Sequence, residues 1–322
     1  MASIHDNPPA AVRAELDALR AALDAEIPPK ATSNLLIATW NIRSFASLTR
    51  KWTATGDDSP KRDLRGLRAI IEILSRFDVI AIQEVKGDLR ALRDALAFLG
   101  EDWAFLMTDV NIGDAGNDER LVFLFQRSRV RPSGLAAEIV IPPEQLQDTG
   151  QEVLHEQFVR PPYAVSFQRR DTTFILVTLH VLYGDRETDR LPELRGVANW
   201  MADWARRSNR FHHNLLTLGD FNIDRQGSPG HDVFISSGLT VPDILINQPR
   251  TIFDDPGDPD DDAFYDQIAW FTVGDQALLD MEVRSGGSFD FMPHLYAGLG
   301  LSRTSVSYRI SDHYPLWIEF GI

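Results

Sequence analysis

Along residues 9–26, apolar Val12, Leu16, Leu19 and Leu23 recur at spacings of four, three and four, which predicts an amphipathic helix. Pro28 and Pro29 end it. Residues 1–33 read as a helical extension and linker whose apolar stripe docks on the main domain or on a partner. From residue 34 the period changes. Apolar runs rich in β-branched and aromatic residues predict strands at LLIATW (35–40), DVIAIQ (78–83), WAFLM (103–107), LVFLF (121–125), AVSF (164–167), TFILVTL (173–179), NLLTLG (214–219), QIAWF (267–271) and PLWIEF (315–320). Helices are expected over 62–76, 89–98 and 190–207. Several strands are apolar throughout, so both of their faces need cover. Some neighbouring strands have no helix between them, which predicts an α/β protein of mixed sheets packed together with helices outside. Residues 34–322 read as one domain, without internal repeats.

Composition narrows the function classes. The 322 residues are 43% hydrophobic and 25% charged, which excludes collagenous and disordered chains. The absence of cysteine removes disulfides, thiolate metal ligands and cysteine nucleophiles, and suits a reducing compartment. The N-terminus lacks the basic-then-apolar pattern of a secretory signal, and no stretch reaches the roughly 18 apolar residues of a membrane span. A cytoplasmic protein is therefore expected, with export by another route left open. Nothing in the sequence sets an oligomeric state. The net charge of −15 argues against holding nucleic acid by overall charge alone. It leaves room for a metal-dependent nuclease, whose site is itself built from carboxylates.

Candidate chemistry gathers at strand ends. Asn41, Glu84 and His180 follow predicted strands, as do Asp220 and Asn222; Asp266 precedes one, and Asp312 and His313 precede the last. Carboxylates and carboxamides are hard oxygen donors that suit magnesium, manganese or calcium. Two histidines can accept and donate protons near neutral pH. This is the inventory for metal-assisted attack of water on a phosphate ester. Asp254–Asp262 carries six aspartates in nine residues and reads as a solvated loop, with a calcium site as the alternative.

The ordered motifs TWNIR (39–43), IQEV (82–85), ERLVFLF (119–125), TLH (178–180), GDFN (219–222), YDQI (265–268) and SDHYP (311–315) resemble those of the endonuclease/exonuclease/phosphatase superfamily, most closely its deoxyribonuclease I branch. FVRPPYAVSF (158–167) and FDF (289–291) agree, so the resemblance spans about residues 34–322. It implies a four-layered α/β sandwich with two central mixed β-sheets flanked by helices. It also implies roles. Glu84, Asn41 and Asp312 match the metal site, with Mg2+ or Mn2+ as cofactor. Asp220 and Asn222 match the pair that positions the phosphate. His313 pairs with Asp266, and His180 with Glu119. Arg160 matches a phosphate-reaching arginine, and Arg43 and Lys86 match DNA-contacting positions. One dyad can take a proton from water while the other protonates the leaving oxygen. We assign His313–Asp266 to the first task and His180–Glu119 to the second, with the reverse kept open.

The expected activity is an endonuclease nicking DNA with low sequence specificity. RNA, or a lipid headgroup, inositol phosphate or nucleotide, is the alternative substrate. Gln267 departs from the pattern, because the resemblance places an arginine there. Between Arg43 and Arg68, seven basic residues (Arg43, Arg50, Lys51, Lys61, Arg62, Arg65 and Arg68) outnumber Asp57, Asp58 and Asp63. That segment is read either as a phosphate-backbone footprint or as a solvated loop and helix face. Arg206, Arg207, Arg210, His212 and His213 form a second basic cluster, read as surface.

Overall fold

The strands with two apolar faces become the inner members of two stacked sheets. The computed structural model describes residues 2–111, 117–140, 158, 160–184, 186–206, 214–255, 257, 262–273, 276–296 and 298–322. The strands are β1 (Asn34–Phe45), β2 (Val79–Lys86), β3 (Trp103–Met107), β4 (Glu119–Gln126), β5 (Arg131–Glu138), β6 (Tyr163–Arg169), β7 (Thr172–His180), β8 (Leu215–Ile223), β9 (Leu239–Thr240), β10 (Phe264–Val273), β11 (Gln276–Ala277), β12 (Glu282–Ser288) and β13 (Leu316–Gly321). The main helices are α1 (Ala10–Glu26), α2 (Leu64–Leu74), α3 (Arg90–Leu99), α4 (Glu187–Arg206) and α5 (Pro229–Ser236).

One sheet runs β12-β13-β1-β2-β4-β3, and the other β11-β10-β8-β7-β6-β5 with β9 added against β10. Each has one parallel pair near its middle, β1 with β2 and β7 with β8, among antiparallel neighbours. Alternation along β1 sorts its side chains. Leu35 and Ile37 join Phe123, Phe167 and Leu216 between the sheets, while Leu36, Ala38 and Trp40 join the outer cluster under α2. Leu194, Val197 and Met201 of α4 belong to the first cluster. The result is helix, sheet, sheet, helix: the expected four-layered sandwich.

The stripe of α1 is buried against the α2 side of this chain. Arg65 pairs with Glu15, Arg20 with Glu72 and Arg76 with Asp24 across that contact. Four strands were not expected: β5, β9, β11 and β12. The strands that carry the site run longer than predicted, so Asn41, Glu84, Glu119, His180, Asp220, Asn222 and Asp266 lie within strands rather than in the loops beyond them.

Of the basic segment 43–68, Arg62, Arg65 and Arg68 turn inward, while the loop around Lys51 stays exposed, as the solvated-loop reading expects. Arg62 is buried and donates to the carbonyl oxygens of Arg43, Ser44, Arg309 and Ile310. Arg68 is buried over the Phe98 ring, and Arg65 is stacked on Tyr296. Arg50 pairs with Asp94, Lys51 with Asp58, and Lys61 donates to three backbone carbonyls. The buried arginines serve as scaffolding for the chain beside β1, while Lys51 makes its ion pair at the surface. In the second basic cluster, residues 207, 210, 212 and 213 lie outside the described residues, as do 256 and 258–261 of the aspartate-rich segment and residue 159. Asp254 itself caps a turn, accepting from the backbone N–H groups of Arg250, Thr251 and Ala263.

Candidate active site

Sheet register places the polar residues in a line. His180 lies opposite Asp220 in the parallel β7–β8 pair, and Asp266 lies opposite Asp220 in the β8–β10 pair. The glycine before Asp220 is required there. Gly219 has φ 147°, and a Cβ on it would collide with the Leu179 carbonyl oxygen. Irregularities in pairing fall between Asn41 and Phe45, Ile82 and Val85, and Phe264 and Asp266. Glu84 sits inside the second of these at φ 59°. Such bulges re-aim a side chain at the end of a rigid strand, at a backbone cost of about 1–3 kcal/mol for a residue in this region.

Two histidine–carboxylate dyads face one another across the sheets. His180 Nδ1 is 2.9 Å from Glu119 Oε2, and His313 Nδ1 is 2.6 Å from Asp266 Oδ2. Both Nε2 atoms turn toward a single oxygen, Asp220 Oδ2, at 3.6 and 3.9 Å. The same oxygen accepts from Asn41 Nδ2 at 2.9 Å, and Asp220 Oδ1 accepts from the Asn222 N–H. Asn222 Nδ2 donates to the Val181 carbonyl, which fixes its side chain beside Asp220. Thus Asn41–Asp220, Glu119–His180 and Asp266–His313 each join one sheet or its closing turn to the other.

The surroundings set the charges. Burial works to raise the Glu119 pKa, but the His180 hydrogen bond and the charges of His180, Arg160 and Lys86 prevail and hold it down to about 2. Burial and Arg160 oppose protonation of His180, while Glu119 and Asp220 carry its pKa above the ordinary histidine value. Burial also opposes a charged His313, yet Asp266, Asp220 and Asp312 raise it to about 10. Burial pushes Asp266 up to about 6 despite His313. Asp220, although buried, stays below the usual carboxylate range because two histidines and two hydrogen-bond donors face it.

The candidate metal donors fit a hard cation by chemistry. Asn41 Oδ1 is buried with no hydrogen-bond partner, which is the mark of an atom shaped for something else. Glu84 accepts from the Ser44 N–H at 2.8 Å, and Asp312 Oδ2 is 3.0 Å from Arg43 Nη1. Among the described residues no cluster of three or more histidine, cysteine or acidic side chains forms a ready-made metal site. The three expected substrate cations all reach the site, but each faces a carboxylate. Arg43 meets Asp312, Lys86 Nζ is 2.9 Å from Glu119 Oε1, and Arg160 Nε is 3.2 Å from Glu119 Oε2 while its Nη1 holds the His180 carbonyl.

A profile described as the Endonuclease/Exonuclease/phosphatase family matches residues 38–313. The chain belongs to that family. It is 26% identical over 308 residues to a deoxyribonuclease of Thioalkalivibrio sp. (strain K90mix), covering 91% of this chain and 73% of that one. It is 26% identical over 297 residues to deoxyribonuclease-1 of Bos taurus, covering 88% and 91%. Among solved structures, the mannosyl-6-phosphatase Bt3783 of Bacteroides thetaiotaomicron VPI-5482 shares the fold with TM-score 0.55 at 19% identity, covering 89% of this chain and 100% of that one. Membership of the endonuclease/exonuclease/phosphatase family makes the protein a hydrolase, and its substrate has to be argued from the site.

Several positioning residues of this family member escaped sequence reasoning. Arg250 is fully buried and donates to the carbonyls of Asp266, Gln248 and Leu245, fixing the strand that carries Asp266. Thr251 donates to the Asp312 carbonyl, Trp40 Nε1 to the His313 carbonyl, and Ser311 Oγ to the Asn41 carbonyl. Beneath the site, Gln83 Nε2 donates to Thr178 across the sheets and to Thr39 on the neighbouring strand of its own sheet. Gln267, where an arginine was expected, is buried and donates to the Phe264 carbonyl. It offers the phosphate nothing.

Proposed function

We propose that this protein is a divalent-metal-dependent endonuclease that nicks DNA with little sequence preference, with residues 34–322 as the catalytic domain and 1–33 as a docked extension. The observation that carries this reading is the convergence of two histidine Nε2 atoms on Asp220 Oδ2, each histidine backed by its own carboxylate. The deoxyribonuclease relatives favour DNA as the diester. Mg2+ or Mn2+, held by Glu84, Asn41 and Asp312, would supply charge neutralisation at the phosphate.

The side chains divide the proton work. His313 Nε2, with Asp266 behind its Nδ1, is the base in this reading and takes the proton from water when the imidazole is neutral. His180 shares Glu119 with Arg160 and Lys86, and Arg160 weakens its hold on a proton. That suits donation from His180 Nε2 to the leaving oxygen. Asn222 and Asp220 orient the phosphate between them. No helix among the described residues is long and apolar enough to cross a membrane, and a cytoplasmic site of action remains our expectation.

The test is relaxation of supercoiled plasmid with magnesium, manganese or EDTA, beside His313→Ala and Glu84→Ala. Nicking that needs metal and is lost in both variants is the expected result. A folded protein that leaves plasmid intact would move the reading to a small phosphoester with the same chemistry. One observation favours that second reading: Arg62, Arg65 and Arg68 are buried, so a net charge of −15 is not offset by an extended basic surface in this segment.

A further inference from the structure

Two half-exposed tyrosines stand at the site, each backed by an arginine that also holds a site residue. Tyr308 is 49% exposed, and the Arg43 guanidinium lies 4.1 Å from its ring centroid. Arg43 Nη1 donates to Asp312 Oδ2 at 3.0 Å and to Ser307 Oγ at 2.9 Å. Tyr183 is 56% exposed, and the Arg190 guanidinium lies 4.6 Å from its ring centroid. Arg190 donates to the Asn222 carbonyl, to Asp224 and to the Tyr183 carbonyl. Tyr183 thus stands beside Asn222 and three residues beyond His180, whereas Tyr308 stands beside Asp312. Each ring is joined through its arginine to a residue of the site, Tyr183 to Asn222 and Tyr308 to Asp312.

We propose that Tyr183 and Tyr308 are stacking platforms for the nucleobases on either side of the cleaved phosphate, and that the preferred substrate is an unpaired nucleic-acid strand. This rests on the phosphodiesterase reading above. A buried tyrosine would serve packing, but these rings are exposed at the site while their arginines are fixed by hydrogen bonds. An arginine on one side leaves the other face of a ring open to a base, and each base so stacked contributes a gain that alanine substitution reveals. Bases inside an intact duplex are already stacked on one another and cannot use such faces without unpairing. Two stacked bases also supply binding that needs no extended basic footprint, which accords with the internal use of Arg62, Arg65 and Arg68.

The experiment measures kcat and KM in magnesium on three substrates: a thymidine oligonucleotide, the same oligonucleotide with abasic sites throughout, and a thymidine–adenosine duplex of equal length. The wild-type protein is expected to show KM about tenfold lower for the thymidine strand than for the abasic strand, and lower than for the duplex. Tyr183→Ala and Tyr308→Ala should each remove most of the preference for bases, whereas Tyr183→Phe and Tyr308→Phe should keep it. Cleavage of all three substrates with equal KM, or alanine variants that retain the preference, would overturn the platforms. If no strand is cleaved, it is the nuclease reading that fails, and the platforms fail with it.

Discussion

Glu119 and Asp266 each hold the Nδ1 of a histidine, yet their surroundings are opposite. Glu119 sits among Lys86, Arg160 and Asn117, so both of its oxygens have partners. Asp266 gives one oxygen to His313, while the other is buried without a partner. One dyad is therefore clamped in its ionised form by cations. The other shares a proton in an environment that contains mainly carboxylates. The difference teaches that two histidine–carboxylate pairs can be given separate duties by the charges placed behind them. The pairs themselves carry no such instruction.

The widest break in the comparison comes from removing each imidazole. His313→Ala and His180→Ala are each expected to lower kcat by about 10²–10⁴-fold on DNA. A diester with a p-nitrophenolate leaving group needs no proton at departure. His180→Ala should recover most of its rate on that substrate, and His313→Ala should not; equal recovery would cancel the division of labour. A smaller effect follows from stripping a cation from the clamped dyad. Arg160→Met removes a charge that weakens the hold of His180 on its proton, so the alkaline limb of the kcat profile should move to higher pH. A profile unmoved on that side would show that His180 is not the titrating acid.

The clamped carboxylate should also be visible in stability. Its pKa is held near 2 in the folded protein against an ordinary value of 4.5. The unfolded chain therefore binds the extra proton between those values, and folding is stabilised as pH rises through that window. That contribution is complete above about pH 4.5 and lost as pH falls toward 2. Melting curves of Glu119→Gln should show a shallower slope there than the wild type, and parallel slopes would contradict the clamp. The smallest effect concerns the first loop. Lys51→Ala and Lys61→Ala, whose ammonium groups serve local turns, should leave the salt dependence of DNA binding unchanged. Loss of a phosphate contact would instead lower the slope by about one.

Most inner strands were legible because continuous apolar runs admit few other fates. The missed strands β5 and β12 are edge strands, and RPSGLAAE and EVRSGGS carry the glycine, serine and proline that edges tolerate. The family motifs named the residues of the site, and the structure brings the dyads together with Asp220. They did not reveal that Glu84 sits in a bulge, because a bulge depends on how a partner strand is registered rather than on local sequence. Charge counting also misplaced the arginines of segment 43–68. Arg65 and Arg68 face Glu15 and Phe98, and those partners lie far away along the chain. A window of net charge carries no information about which side of a helix becomes interior. Arg250 was invisible for the same reason.

The contacts Asn41–Asp220, Glu119–His180 and Asp266–His313 are also a seam that fastens one sheet to the other. A seam made of the reacting groups ties the upkeep of the fold to the upkeep of the chemistry. Replacing one stitch leaves a buried polar partner unpaired, at about 1–3 kcal/mol, besides removing a reactive group. The rim, where Tyr183 and Tyr308 stand, carries no such double duty. Variation at the rim is therefore inexpensive beside variation at the seam.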